Sequence, residues 1–399
     1  MRLPTPSEQE LQHSQRLCER IKQVIRESPD GSISFRHYMQ MALYEPGLGY
    51  YVAGKNKLGV AGDFTTAPEI SRLFSQCLAN QCAEILQQNK AWQILEFGAG
   101  RGIMAADILL HLETLDCLPE KYLILELSPE LQTRQRDTLN RLAPHLNEKV
   151  EWLSSLPDKP FQGMMLANEV LDAMPVEMFS IIEGDWFTAV VSINEQKNDA
   201  NEFDLVLTEG TGKLPIPSSL NNKDWQHYPS PYTSEFNPNL QGWINSLSDI
   251  LEQGLVLLVD YGYEHDDYYR PERDRGTLLC HYRHHVHDQA LLWPGLQDIT
   301  ASVDFTAVAD AAELAGLTVA AYTTQANFLF SNGLESLFNQ ALESNPEQQY
   351  QLAQQVRLLT LPSEMGERFK VISLTKGFTS AEDTHTLSAS QPFDQRHRL

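Results

Sequence analysis

The period of the hydrophobic positions changes near residue 92. Before that point apolar residues recur at helical spacing, over 8–27, over 32–45, and over about 69–89 behind Pro68. No strand is expected in this region. Between the second and third helices lies "YEPGLGYYVAG", a loop of glycines and aromatics. Beyond residue 92 short apolar runs alternate with helix-length polar segments, the pattern of a parallel sheet with crossover helices. The runs are "WQILEFG", "YLILELS", "KVEWLSS", "GMMLANE" and "GLVLLVDYG", with helices expected at 103–115, 129–143 and 239–253.

Two segments interrupt this rhythm. Residues 176–237 alternate like an antiparallel meander, and 262–302 are polar, aromatic and rich in histidine. A helix near 304–315, the strand "LTVAAYTT", a helix near 331–343 and the strand "RFKVISLTKG" complete the pattern. Five parallel strands and two more match the count of a seven-stranded, doubly wound, Rossmann-like α/β sheet of the class I methyltransferase type, its last hairpin entering antiparallel. The expected organisation is an N-terminal helical segment over 1–90, a core over 91–378 with the two insertions as an accessory α+β lobe, and a disordered polar tail over 379–399.

Charge narrows the partners. Thirty basic residues against 53 acidic ones give a net charge of −23, which opposes attraction to nucleic acid and to anionic lipid. No run approaches a membrane span of about 20 apolar residues. The start "MRLPTPSEQELQHSQRL" has neither an apolar leader nor an arginine-rich one. The five scattered cysteines form no CxxC pair, so a reducing compartment, a bacterial cytoplasm, is expected.

The candidate chemistry starts at "EFGAGRGI". A strand feeding Gly98, Gly100 and Gly102 and then a helix gives a tight turn with backbone N–H groups aimed at a ligand. A dinucleotide loop would place its last glycine at position 103, where this chain has Ile103. Glu96 would repel a pyrophosphate there but attract the cationic methionine end of S-adenosylmethionine. Glu126 ends the second strand, where a doubly wound fold offers an acid to ribose hydroxyls. Trp152, Leu153 and Ser154, ending the third, are either an adenine slot or core.

"LANEVLDAMPVE" sets Asn168 and Glu169 at the carboxyl end of the fourth strand, with Asp172 three residues on, on the same face if the segment turns helical. Paired carboxylates at a methyl-donor mouth suit a guanidinium, which they hold and orient; methyl transfer needs in-line placement and loss of a proton, not a metal. Asp260 and Tyr261 face the same crevice, either to position a substrate or to cap a turn at Gly262. His281, His284, His285 and His287 with Asp298 have irregular spacing, so a hydrogen-bonded loop is expected rather than a metal site.

Taken in order, "GDFTTAPEIS", "EFGAGRG", "LANEVLDAMPVE", "LVDYGY", "RGTLLCHYRHH", "PGLQDITASVDF" and "MGERFKVI" resemble the MidA-like family of class I methyltransferases, from about residue 35 to 376. That family is related to the mitochondrial complex I assembly factor 7, a protein arginine methyltransferase. The resemblance implies S-adenosylmethionine binding and, for the mitochondrial branch, symmetric dimethylation of an arginine on a complex I subunit. It assigns the cofactor loop to Glu96, Gly98, Gly100 and Gly102 and the ribose acid to Glu126. Ala99 stands where the family usually has proline, and Ser302 where histidine is common. The element Gly62, Asp63 and Phe64, with Thr65, Thr66 and Pro68, would close over the methionine end.

Three functions compete. The first is a protein methyltransferase acting on an accessible arginine, with Asp63, Glu169 or Asp172 taking the proton. The second is an assembly factor that binds the cofactor with little catalysis, or a methyltransferase for small molecules. A nicotinamide dehydrogenase is disfavoured by Ile103.

Overall fold

The computed structural model describes residues 3–53, 66–89, 91–194, 205–210, 216–221, 223–378 and 393–399. Asp63, with Gly62, Phe64 and Thr65, lies outside them.

The apolar runs become strands whose alternate side chains feed two cores. Ile94, Tyr122, Ile124, Met164 and Leu257 point to one face of the sheet, under the helices Arg72–Leu86 and Ile103–Thr114. Leu95, Leu123, Met165, Val256 and Leu258 point to the other, under Leu240–Ile250 and Phe305–Leu314. Burial on both faces explains why these strands read as continuous apolar runs. Each fully buried Leu or Ile contributes about 1.5–3 kcal/mol.

Across the sheet the order is Thr318–Thr324, Phe369–Lys376, Leu251–Tyr263, Phe161–Asn168, Gln93–Phe97, Tyr122–Leu125 and Val150–Leu153. A short eighth strand, Val303–Asp304, pairs in parallel with the end of Leu251–Tyr263, so the sheet exceeds the expected seven. Of the last hairpin, only Phe369–Lys376 runs against the rest, antiparallel to both neighbours. From Gln93–Phe97 the chain winds outward through Tyr122–Leu125 to Val150–Leu153, then returns to the opposite side of Gln93–Phe97 with Phe161–Asn168. This reversal opens a crevice at the carboxyl ends of those two strands.

Several expected elements break where a cap intervenes. The helix placed over 32–45 starts only at Phe35, because Ser34 accepts a hydrogen bond from the His37 N–H as its N-cap, and Ser32–Ser34 is a strand. That strand pairs with Asp185–Ile193 of the meander, giving a five-stranded sheet with Glu177–Ile182, Leu205–Gly210 and Tyr232–Phe236. The helix behind Pro68 breaks at the extended Ser71 into Ala67–Ile70 and Arg72–Leu86. Leu240–Ile250 gives way directly to a strand, three residues before the expected helix end. Gly333, with φ of 84°, separates Gln325–Ser331 from Leu334–Ser344, and a further helix follows at Gln349–Thr360.

The segment 1–90 does not form one unit. Its early helices share a core with both insertions, through Leu17, Phe35, Tyr38, Val191, Cys280 and Ile299, whereas Arg72–Leu86 belongs to the main sheet. The polar tail also departs from expectation at its end. The Phe393 carbonyl accepts from Thr323, Gln395 N–H donates to the Tyr322 carbonyl, and Arg398 pairs with Glu264, so 393–399 is docked.

Candidate active site

The crevice holds a cavity of about 730 Å³, within the range of small-molecule sites. Gly98, Gly100 and Gly102 take φ of 63°, 52° and 77°, a left-handed run that glycine adopts without strain. A Cβ at Gly98 would stand 3.1 Å from Val170 Cγ2, and one at Gly102 3.1 Å from Gln135 Cα, so the loop is tightly packed from behind. Gly98 and Gly100 line the cavity, while Gly102 starts the helix Ile103–Thr114 as its N-cap.

Glu96 lines the same space and is 1% exposed. Tyr122 donates its hydroxyl to Glu96 Oε2 at 2.7 Å. Burial pushes the Glu96 carboxyl up to about 7; the tyrosine bond opposes this and the Glu126 charge adds to it. Glu126 also lines the cavity. It accepts from Ser128 N–H at 2.8 Å and from Gln135 Nε2 at 3.1 Å, and burial raises its pKa. Gln135 also donates to the Gly100 carbonyl at 3.1 Å and accepts from Trp152 Nε1 at 2.9 Å. Trp152 thus braces the glycine loop and Glu126 through Gln135. Trp152, Leu153 and Ser154 stand off the cavity lining, and the Leu153 carbonyl accepts from Glu126 N–H. The surface beside Glu126 is Leu127, Ser128 and Leu131.

Thr66, Pro68, Asn168 and Glu169 close another side. Glu169 has φ of 54°, strained for a residue with a side chain. The turn is held by Asp260, fully buried, whose Oδ2 accepts from the N–H groups of Val170, Leu171 and Asp172 at 3.0–3.2 Å. Asp260 therefore caps this turn rather than one at Gly262. Glu169 accepts from Asn168 Nδ2 at 3.0 Å. Burial, and next the Asp172 carboxylate, push the Glu169 carboxyl up to about 8, against the Asn168 bond. Asp172 sits behind, off the cavity lining, and accepts the Tyr261 hydroxyl at 2.7 Å. Burial raises Asp172 as well, against the Tyr261 bond, and raises Asp260, where the Asp172 and Glu169 charges add to it.

Sequence reasoning missed the part of the wall from Gln40, Tyr44 and Tyr51, and the Arg101–Glu69 pair at 3.9 Å, Arg101 being in the glycine loop. The run "YEPGLGYY" carried the signal for that wall: closely spaced glycines beside aromatics. The histidines do not converge: His281 pairs in register with Asp298, His284 sits in the hairpin turn, and His285 bonds the Arg283 carbonyl. Among the described residues no group of three or more His, Cys, Asp or Glu is placed to hold a metal.

The cavity fits S-adenosylmethionine. Glu96 offers buried negative charge to a cation, the bare loop backbone permits close approach, and Asn168 Oδ1 is a buried acceptor without a partner among the described residues. A family model of S-adenosyl-L-methionine-dependent methyltransferases, Methyltransf_28, matches residues 77–323. The chain belongs to this family. It is 32% identical over 374 residues to the zebrafish (Danio rerio) protein named Protein arginine methyltransferase NDUFAF7, mitochondrial, covering 86% of this chain and 83% of that one. The human relative of the same name is 30% identical over 379 residues, covering 86% and 80%. A crystal structure of a COG1565 superfamily member from Burkholderia thailandensis, bound to S-adenosyl-homocysteine, is 35% identical with a TM-score of 0.91, and each chain is covered in full.

The protein is thus an S-adenosylmethionine-dependent methyltransferase of mixed α/β fold. The mitochondrial names of the curated relatives do not support the expected cytoplasmic setting. Among the described residues no helix is long and apolar enough to cross a membrane.

Proposed function

We propose that this methyltransferase modifies a guanidinium nitrogen of arginine in a protein acceptor. The observation that carries the reading is Glu169: a carboxylate held on a strained turn at the cavity wall, backed by a second acid, Asp172, and fixed from behind by a third, Asp260. The relatives' name, protein arginine methyltransferase, supports it.

Glu96, the glycine loop, Glu126, Asn168, Thr66 and Pro68 would hold the cofactor, with Glu96 toward its cationic end and Glu126 toward its ribose hydroxyls. Bound S-adenosylmethionine supplies an electrophilic methyl group on a sulfonium. The rest falls to the chain. Glu169 accepts hydrogen bonds from the guanidinium and orients one nitrogen; as the new N–C bond forms, its carboxylate takes the proton that nitrogen releases. Asp172 and its Tyr261 partner keep negative charge beneath Glu169 and so favour proton uptake there. Asp63, the other candidate base, lies outside the described residues. A basic segment of a respiratory complex I subunit is the acceptor type the family resemblance implies.

The test is transfer of a labelled methyl group to arginine peptides and to lysine versions of them, followed by mass spectrometry. Product on arginine that Glu169→Gln abolishes, while cofactor affinity persists, supports the reading. Transfer to lysine or to small amines alone would refute it. If wild type transfers nothing, and Glu169→Gln still restores respiratory assembly in a strain lacking the gene, the protein is a cofactor-binding assembly factor.

A further inference from the structure

Part of the cavity wall, Gln40, Tyr44 and Tyr51, is built from residues outside the stretch that the methyltransferase family model matches. Its construction is specific. Gly47 takes φ of 69°, and a Cβ at Gly49 would stand 2.5 Å from the Tyr44 nitrogen, so only glycine lets the chain fold back on the end of its own helix there. Tyr50 and Tyr51 N–H groups then donate to the Ala42 and Leu43 carbonyls at 2.9 Å. Tyr51 is thereby laid against Tyr44, ring centroids 5.5 Å apart and planes 24° from parallel, and the buried Tyr50 packs edge-on behind it. Both hydroxyls are turned away into bonds. Tyr44 donates to the Ala173 carbonyl at 2.9 Å. Tyr51 donates to both oxygens of Asp298 at 2.9 Å, and Asp298 is 2% exposed on the strand Asp298–Thr300.

We propose that Tyr44 and Tyr51, oriented by Asp298, form the acceptor-recognising wall of the site, against which a planar guanidinium stacks while Glu169 binds its edge. The inference rests on the arginine reading above and adds the residues that set its specificity. The chemistry selects the class of acceptor. Aromatic faces attract cations, and a delocalised planar one stacks flat where a compact ammonium cannot. A phenol donating to a carboxylate gains electron density in its ring, so the Tyr51–Asp298 bond strengthens that attraction as well as fixing the ring. Asp298 is then a positioning residue, and the two tyrosines are specificity determinants.

The experiment is titration of the full chain, saturated with S-adenosylhomocysteine, with ethylguanidinium and with ethylammonium, followed by NMR. Wild type should bind the guanidinium more tightly. Tyr51→Leu should weaken that binding by roughly tenfold, the scale of a partly desolvated cation–π contact, with Tyr51→Phe and Asp298→Asn in between. Tyr51→Phe leaves the buried Asp298 carboxylate short of a donor and should lower the melting midpoint, while affinity for S-adenosylhomocysteine measured well below that midpoint should match wild type, which separates recognition from folding. Guanidinium affinity unchanged in Tyr51→Leu overturns the wall and leaves arginine methylation standing. Loss of S-adenosylhomocysteine binding in Tyr51→Phe also overturns it, by giving the ring to the cofactor. A wild type that ignores ethylguanidinium and transfers no methyl to arginine overturns both.

Discussion

Glu96→Gln should stabilise the ligand-free protein at pH 8 while abolishing cofactor binding. The Glu96 carboxyl is 1% exposed, and burial lifts its pKa from 4.5 to about 7. A carboxyl raised on folding contributes its stability in full below about 4.5, where folded and unfolded chains both hold the proton, and loses it as pH rises through about 7. At about 1.4 kcal/mol per pH unit, the loss completed by pH 8 is roughly 3 kcal/mol. Glutamine removes that loss and keeps an oxygen to accept the Tyr122 hydroxyl, now 2.7 Å from Glu96. Urea unfolding of both proteins at pH 5 and pH 8 measures it. The variant's advantage should be small at pH 5 and approach 3 kcal/mol at pH 8. In calorimetry, wild-type affinity for S-adenosylmethionine should rise with pH up to about 7, because the cation binds the ionised acid. A difference between the two proteins that is the same at both pH values, or a variant that binds the cofactor as wild type does, would refute the assignment.

Three further outcomes follow from the site. In peptide methylation, kcat/KM of wild type should climb as pH rises through about 8, the Glu169 value, and Asp172→Asn should move that limb to lower pH by removing the neighbouring charge; an unmoved limb excludes Glu169 as the base. Gln135→Ala should weaken S-adenosylmethionine by about 10- to 100-fold, since Glu126 and Gly100 both lose a donor, and Trp152→Phe should cost less; equal, small effects in calorimetry would show that the bracing is idle. Truncation after residue 378 should lower unfolding stability by roughly 2–4 kcal/mol through loss of the bonds to Tyr322, Thr323 and Glu264, with cofactor affinity unchanged; an unaltered unfolding midpoint would refute the docking of 393–399.

The core was legible because its determinants are local. Strands buried on both faces have to be apolar throughout, and a loop that must take positive φ at 98, 100 and 102 has to spend glycines there. The acids Glu96, Glu126 and Glu169 showed themselves by ending such strands. What escaped was set by pairing across long separations. Nothing local tells that Ser32–Ser34 will join Asp185–Ile193, or that Trp152 will bond the Gln135 that holds Glu126. Tyr51 and Asp298, 247 residues apart, meet only because both insertions close against the N-terminal helices.

That assembly also explains why so many buried carboxyl groups persist. Glu96, Asp172, Asp260 and Asp298 are each nearly inaccessible, and Glu169 stands among the last three. A fold selected only for stability would replace such groups, because each buried charge without a cation costs free energy. The donors around them are tyrosine hydroxyls, amides and backbone N–H groups, which hold a carboxylate in place without neutralising it. In the proposed reaction the missing positive charge comes from ligands, a sulfonium and ammonium beside Glu96 and a guanidinium beside Glu169. Each ligand relieves the penalty of the acid it meets, so binding and stability are coupled at both ends of the cavity. When the methyl has moved, the sulfonium charge is gone, and the penalty at Glu96 returns in part. On that proposal, Glu96 holds the spent cofactor less tightly than the methyl donor.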